Sequence, residues 1–375
     1  MSMSETQGTF AQTHTIKLGD SYATINARGA TLRNWVVDGE QIVDGYVSDV
    51  EQSTLDGFRC AVLAPWSNRL ENGKWADSSG TTYPAPAPTI PDGETGLHGL
   101  VFEAPFIARA DESGRSVVFT YHLEPSNAYP GALDITVTYT LETANKLHVK
   151  IAATNVGEQA VPVALGWHPY FLLEETIGQD PQSAPRIDVP GKYLVSTDAK
   201  LIPLDAAAAY TALEAPGLRG RFQTDAKRHR SPQNAGAGPD HSAEEDSSAE
   251  KDCAARQESG VGTEGRAAQG TLSAEWDQAV TGLIPDSDGM CSAQLTTGRR
   301  TVTVQADLPT GVGEGNYHLY TGAGLKRGPY QSVAMEPCQF IPNAFNRPEL
   351  ADALQLQPGH TRALNIRVHA TNNAD

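Results

Sequence analysis

Strict two-residue alternation is the feature that most constrains this chain. Across Leu133-Asp-Ile-Thr-Val-Thr-Tyr-Thr-Leu141 every second residue is apolar. After an Ala144-Asn145-Lys146 turn, Leu147, Val149, Ile151 and Ala153 resume the pattern. Side chains of a strand point alternately to its two faces, so two such runs joined by a short polar link predict an antiparallel hairpin with one wet face. Ser116–Leu123, Thr301–Ala306 and Ala363–Val368 read the same way, and Thr15–Leu18 and Tyr22–Val37 read as weaker strands. Only Asp205–Leu213 has a helical pattern. Closely spaced strands with Gly, Pro and Asn turns, and no long helices between them, predict an all-β antiparallel sandwich or barrel. No parallel βαβ pattern and no repeat of 20–50 residues occurs.

One stretch departs from this. Residues 225–270 contain a single large aliphatic or aromatic side chain, Val261. With charges of both signs and abundant Gly, Ala and Ser, the segment lacks the apolar surface to offset its ordering entropy. It is expected to be a disordered surface insertion between two strands of one domain spanning residues 1–375.

Composition removes several function classes. Lys and Arg total 28 against 45 Asp and Glu, a net charge of −17. Such a surface repels nucleic acid and anionic lipid but is compatible with a neutral small molecule. No apolar run approaches the roughly 18–20 residues that span a bilayer. The N-terminus has neither the basic nor the apolar region of a secretory signal. Cys60, Cys253, Cys291 and Cys338 show no CxxC or metal-type spacing, so ordinary thiols in a reducing cytosol are expected. The glycine-rich Gly311–Asn316 matches neither the dinucleotide nor the phosphate-loop spacing and reads as an inter-strand loop. His14, His122, His148, His229, His241, His318, His360 and His369 are scattered, with no i, i+4 pair.

Four segments gather chemistry. Ala64–Leu70 carries the Asn68-Arg69 pair. Gly96-Leu-His-Gly-Leu100 sets His98 between glycines. Gly166-Trp-His-Pro-Tyr-Phe171 places His168 among aromatic residues, and Met335–Phe345 places Glu336 in an apolar strand before a proline-rich turn. Each alone has an ordinary structural explanation. Together they supply two imidazoles, a guanidinium, an amide and a carboxyl amid aromatics, an inventory suited to a polyhydroxylated ring.

In order along the chain, SNRLENGKW, GLHGLVF, the Tyr129-Pro130-Gly131 turn, GWHPYF, EWDQAVTGL and MEPCQFIPNAF resemble the aldose 1-epimerase (galactose mutarotase-like) family. The resemblance runs from about residue 15 to 368, the insertion excepted. The LHGL and EPxxxxPNAF forms are closer to less characterised bacterial epimerases than to galactose mutarotase itself. Gln339, Ile341 and Asn343 mark that departure and bear on which sugar is preferred. The resemblance implies a large antiparallel β-sandwich, a supersandwich, acting on a free aldohexose without cofactor or metal. It also implies roles: Glu336 as general base, His168 as general acid, and His98, Arg69 and Asp277 as hydroxyl-binding residues, with Asn68 in support. Two alternatives stand beside it. One is a hexose-6-phosphate epimerase, for which Arg299-Arg300 or Lys326-Arg327 would have to supply phosphate contacts. The other is a non-catalytic carbohydrate-binding protein on the same scaffold.

Overall fold

A computed structural model of the chain describes residues 12–86, 96–173, 184–222, 270–272 and 276–373. The alternating runs become the spine of a ten-stranded sheet. Ser116–Leu123, Leu133–Thr143 and Lys146–Asn155 pair antiparallel, with Val137 opposite both Phe119 and Ile151. Leu133, Ile135, Val137, Tyr139 and Leu141 turn into the core, while the threonines between them face outward. The next strand along is Thr361–Asn372, longer than its alternation predicts, followed by Arg300–Ala306, Cys291–Thr296, Arg186–Val189, Leu218–Phe222 and Gly270–Leu272. Ile107–Ala110 closes the opposite edge.

Against this sheet packs a second, whose strands run in the order Tyr210–Ala212, Tyr193–Val195, Asp277–Thr281, Asn316–Tyr320, Ser332–Cys338, Gly166–Trp167, Val62–Leu63; Tyr170–Leu172 also pairs with Ser332–Cys338. Tyr317 joins the two sheets, its hydroxyl donating to the carbonyls of Cys291 and Val304 at 2.8 Å each. Tyr317, Leu319, Val333 and Met335 therefore belong to the core between the sheets. By strand parity His318, Tyr320, Ala334 and Glu336 face the other side. That side is covered as well, because Ser332–Cys338 is buried at every residue. A four-stranded sheet, Thr13–Leu18, Ser21–Asn26, Thr31–Val37 and Glu40–Gln41, completes the N-terminal part.

Several expectations change in detail. The run Tyr22–Val37 is two strands broken at residues 27–30. Asp205–Leu213 is not an α-helix: Ala206–Ala209 forms one 3-10 turn and Tyr210–Ala212 a strand, since nine residues are too short to hold a helix by themselves and only Tyr210 and Leu213 offer large apolar side chains for a packed face. The α-helices among the described residues are four residues each, Asp49–Gln52 and Ala351–Leu354. Residues 225–269 of the expected insertion lie outside the described residues, and Gly270 opens the strand Gly270–Leu272, which runs parallel to Leu218–Phe222. Gly311–Gly315 is a loop leading into Asn316–Tyr320. Cys60, Cys291 and Cys338 are buried free thiols; Cys253 lies outside the described residues. Among the described residues no helix is long and apolar enough to cross a membrane.

Candidate active site

The outer face of the second sheet gathers the chemistry. Glu336 stands directly opposite His318 on the neighbouring antiparallel strand, and Tyr320, two residues on, stands opposite Asp277 of the next. Opposed residues share a face, so Asp277, His318 and Glu336 form a diagonal across three strands. His168 arrives from the irregular turn between Gly166–Trp167 and Tyr170–Leu172. Its Nε2 lies 3.3 Å from Glu336 Oε1, and both side chains are buried.

A second structure brings Arg69, Asn68 and His98. Arg69–Leu70 pairs with Gly96–Leu97 in a two-stranded ladder, beyond which Asn68 and His98 both take left-handed backbone conformations, φ 56° and 62°. Asn and His are among the non-glycine residues most often found there. Reciprocal bonds hold the pair. The His98 N–H donates to the Asn68 carbonyl at 2.9 Å, and the Asn68 N–H donates to His98 Nδ1 at 3.3 Å. Gly99 follows, also at positive φ, where a Cβ would sit 2.1 Å from the Ala64 carbonyl oxygen; no other residue fits. Asn68 Oδ1 accepts from the Arg69 N–H at 2.8 Å and from Arg69 Nη1 at 3.3 Å, so Asn68 orients the guanidinium.

Aromatic packing sets the imidazoles. His98 lies 4.7 Å from the Phe58 ring and meets His168 edge-on at 5.0 Å, while His168 stacks on Tyr170 at 5.1 Å. Tyr170 donates to the Gly57 carbonyl at 2.9 Å and lies beneath the Arg59 guanidinium. Arg59 is fully buried against Asp44 and Asp56. Asp44 also receives Arg327 Nη1 at 2.8 Å and the Ser332 hydroxyl at 2.7 Å. This ionic cluster fastens the loop before the Glu336 strand to the ring that carries His168.

Electrostatics follow from burial and these partners. Burial pushes the Glu336 carboxyl up to about 8, partly countered by the charge of His318. Burial also drives His168 down to about 3, with the His318 charge acting in the same direction. His98 is held well below its usual range by burial and by His168 and Arg69. With its Nδ1 accepting, neutral His98 keeps its proton on Nε2. His318 behaves differently. Burial alone would lower it, but a 2.6 Å bond from Nε2 to Asp277 Oδ1 and the nearby Glu336 leave it raised. Burial opposes the charge of Asp277 too, yet His318 and Arg69, whose Nη2 is 3.7 Å from Oδ2, keep it lowered. Glu336 Oε2, His168 Nδ1 and His318 Nδ1 are buried with no partner among the described residues. Buried polar atoms are nearly always bonded, so these three leave hydrogen-bonding capacity that a polar ligand or water would fill.

The structure thus brings Glu336, His168, His98, Arg69, Asn68 and Asp277 into one cluster. Reading the histidines as scattered missed His318, whose place opposite Glu336 comes from strand pairing. Gln339 and Asn343 bind backbone instead of facing the site: Gln339 contacts Leu165 and Ala363, and Asn343 accepts from the Glu71 N–H at 3.0 Å. Arg300 pairs with Glu40, and Arg327 with Asp44 and Glu51, so these two arginines are engaged away from the cluster. A groove of about 920 Å³, lined by Trp75, Tyr83, Pro130, Val161 and Arg347 among others, includes none of these site residues.

Comparison with known proteins agrees with this arrangement of strands. The aldose 1-epimerase family model matches residues 12–215, more than half of the chain. YihR of Escherichia coli K12, described only as an uncharacterized protein, is 32% identical over 165 residues, 44% of this chain and 52% of that protein. The uncharacterized isomerase YNR071C of Saccharomyces cerevisiae is 28% identical over 201 residues, 50% of this chain and 58% of its own length. The chain therefore spans somewhat over half the length of the curated relatives it matches. Among solved structures, the GalM/aldose epimerase homologue from C. elegans has a TM-score of 0.68 at 18% identity, covering 97% of this chain and 100% of that one. Galactose 1-epimerase from Lactobacillus acidophilus NCFM has a TM-score of 0.66 at 15% identity, covering 96% and 94%. At these identities the structural likeness is one of fold, and the antiparallel β-sandwich is that of galactose mutarotase-like proteins. Taken with the family match, the conclusion is that this chain belongs to the aldose 1-epimerase family.

Proposed function

We propose that the protein is an aldose 1-epimerase that interconverts the α and β anomers of a free aldohexose by ring opening. The observation that carries this reading is the buried Glu336–His168 pair, Oε1 and Nε2 3.3 Å apart, with the His168 ring stacked on Tyr170. Opening a cyclic hemiacetal removes a proton from the C1 hydroxyl, forms the C1=O bond, breaks the bond from C1 to the ring oxygen and delivers a proton to that oxygen. Rotation about C1–C2 and the reverse steps close the other anomer. Both oxygens are bonded to C1, so adjacent acid and base groups reach both. One group accepts while its neighbour donates, and closure restores each proton.

With Glu336 up at about 8 and His168 down at about 3, the pair holds a single proton across neutral pH, resting on the carboxyl. Transfer of that proton to His168 creates the carboxylate base and imidazolium acid that ring opening requires. Arg69, Asp277 and the Nε2–H of His98 then bind ring hydroxyls, with Asn68 holding Arg69 in place. A free hexose suits this cluster better than a hexose 6-phosphate, because Arg300 and Arg327 are engaged by carboxylates elsewhere.

Anomer-exchange NMR or polarimetry on a panel of free aldoses and their 6-phosphates tests the reading. Acceleration of a free aldohexose, with kcat/KM above that of its 6-phosphate, is expected. A tenfold or greater preference for a 6-phosphate would overturn the substrate class, taking roughly 1.4 kcal/mol as a factor of ten. Sugar binding without acceleration would leave a carbohydrate-binding protein.

A further inference from the structure

One ionisable group of the cluster has neither a proton-transfer nor a hydroxyl-binding part in this reading. His318 is 5% exposed and Glu336 1%, and the two stand opposite each other on one sheet face. Directly opposed residues of an antiparallel pair have Cβ atoms roughly 5 Å apart. His318 Nε2 is spent on Asp277 Oδ1 at 2.6 Å, and the other Asp277 oxygen faces Arg69. We propose that His318, held as the imidazolium by Asp277, is a positioning residue: its charge sets how far the Glu336 carboxyl ionises, and hence the pH window in which the site works. The inference rests on the reading of Glu336 as the base.

The groups around Glu336 can be taken element by element. The His318 strand presents His318 and Tyr320, and the next strand presents Asp277. The turn at 168–170 presents His168 and Tyr170, and the paired ladder presents Arg69 and His98. Cys338 lies two residues along the Glu336 strand. His168 and His98 are neutral and the two tyrosines and the thiol are raised, so the charged neighbours are Arg69, His318 and Asp277. They sum to one positive charge, which a Glu336 carboxylate neutralises. Without the imidazolium, Arg69 and Asp277 cancel each other, and a Glu336 anion would stand buried and uncompensated. Burial opposes the His318 charge and the Asp277 bond sustains it; once ionised, Glu336 adds to that support.

His318→Gln tests this, because it removes the charge and keeps a donor for Asp277. The carboxyl midpoint of Glu336, followed by ¹³C NMR of glutamate-labelled protein without substrate, should rise by about one pH unit or more. Both limbs of the kcat/KM profile should move upward with it. In the double variant His318→Gln/Asp277→Asn, Arg69 alone restores the single positive charge, and the midpoint should return toward that of the unsubstituted protein. A merely structural lesion would lower activity without moving the limbs. ¹⁵N NMR of the unsubstituted protein gives a reading that needs no variant: both His318 ring nitrogens should carry protons at neutral pH. A neutral His318, or a Glu336 midpoint unmoved in His318→Gln, overturns the proposal. If no sugar is epimerised, the proposed function fails, while the carboxyl titration still judges His318.

Discussion

Glu336 and His168 are ordinary residue types in an extraordinary medium: each is displaced toward its neutral form by burial, one upward and the other downward. Proton transfer by a positioned side chain contributes ~10²–10⁴-fold. Glu336→Gln and His168→Asn should each lower kcat by that order, with KM little changed, in steady-state polarimetry. Acting as a unit, they should be non-additive, so the double variant loses far less than the product of the singles. The kcat/KM profile should be bell-shaped. Its alkaline limb should lie near 8, where the pair loses its only proton, and activity should fall again at acid pH as the second proton arrives. The same carboxyl carries a stability consequence. Folded, Glu336 keeps its proton up to about 8, whereas its ordinary value is 4.5. The unfolded chain therefore binds fewer protons between those values, and the stability drawn from the protonated form is lost as pH rises through that window. Glu336→Gln, which does not titrate, should melt higher than the unsubstituted protein, with the gap widening from acid to mildly alkaline pH in thermal scans.

At the scale of elements, the buried ionic cluster under Tyr170 is the most consequential support. Asp44 serves Arg59, Arg327 and Ser332 at once. Removing one partner of a buried pair strands the other charge, at about 3–5 kcal/mol. Asp44→Ala should therefore lose stability of that order in denaturant titrations, and loosening Tyr170 should also slow catalysis. Strands such as Ser116–Leu123 and Leu133–Thr143 were legible because one face is core and the other solvent, which writes the period into the residues themselves. Asn316–Tyr320 and Ser332–Cys338 were harder to read, since one face is core and the other the site and both are buried. His318 went unassigned for a related reason. Eleven residues separate its strand from that of Glu336, and a loop of that length leaves the register open. Arg69, His98, His168 and Glu336 could be picked out because each sits in a short motif with its own local signature. The Asn343 contact with Glu71 spans most of the chain and leaves no local trace.

For the whole molecule, the strand Thr361–Asn372 has a place in the sheet that its place in the sequence does not suggest. It is bracketed by Lys146–Asn155 on one side and Arg300–Ala306 on the other, with Leu364, Ile366, Val368 and Ala370 in the core. Deleting residues 361–372 should abolish cooperative unfolding in calorimetry, because it splits the ten-stranded sheet and exposes two inner edges. Contacts this distant in sequence also make for slow folding. During synthesis, then, the two halves of the large sheet emerge from the ribosome lacking the strand that joins them, and each waits with an open edge until residue 372 has cleared the exit tunnel. A nascent chain in that position is a natural client for chaperones. A premature stop before residue 361 would leave an aggregation-prone fragment in place of a folded, shortened chain.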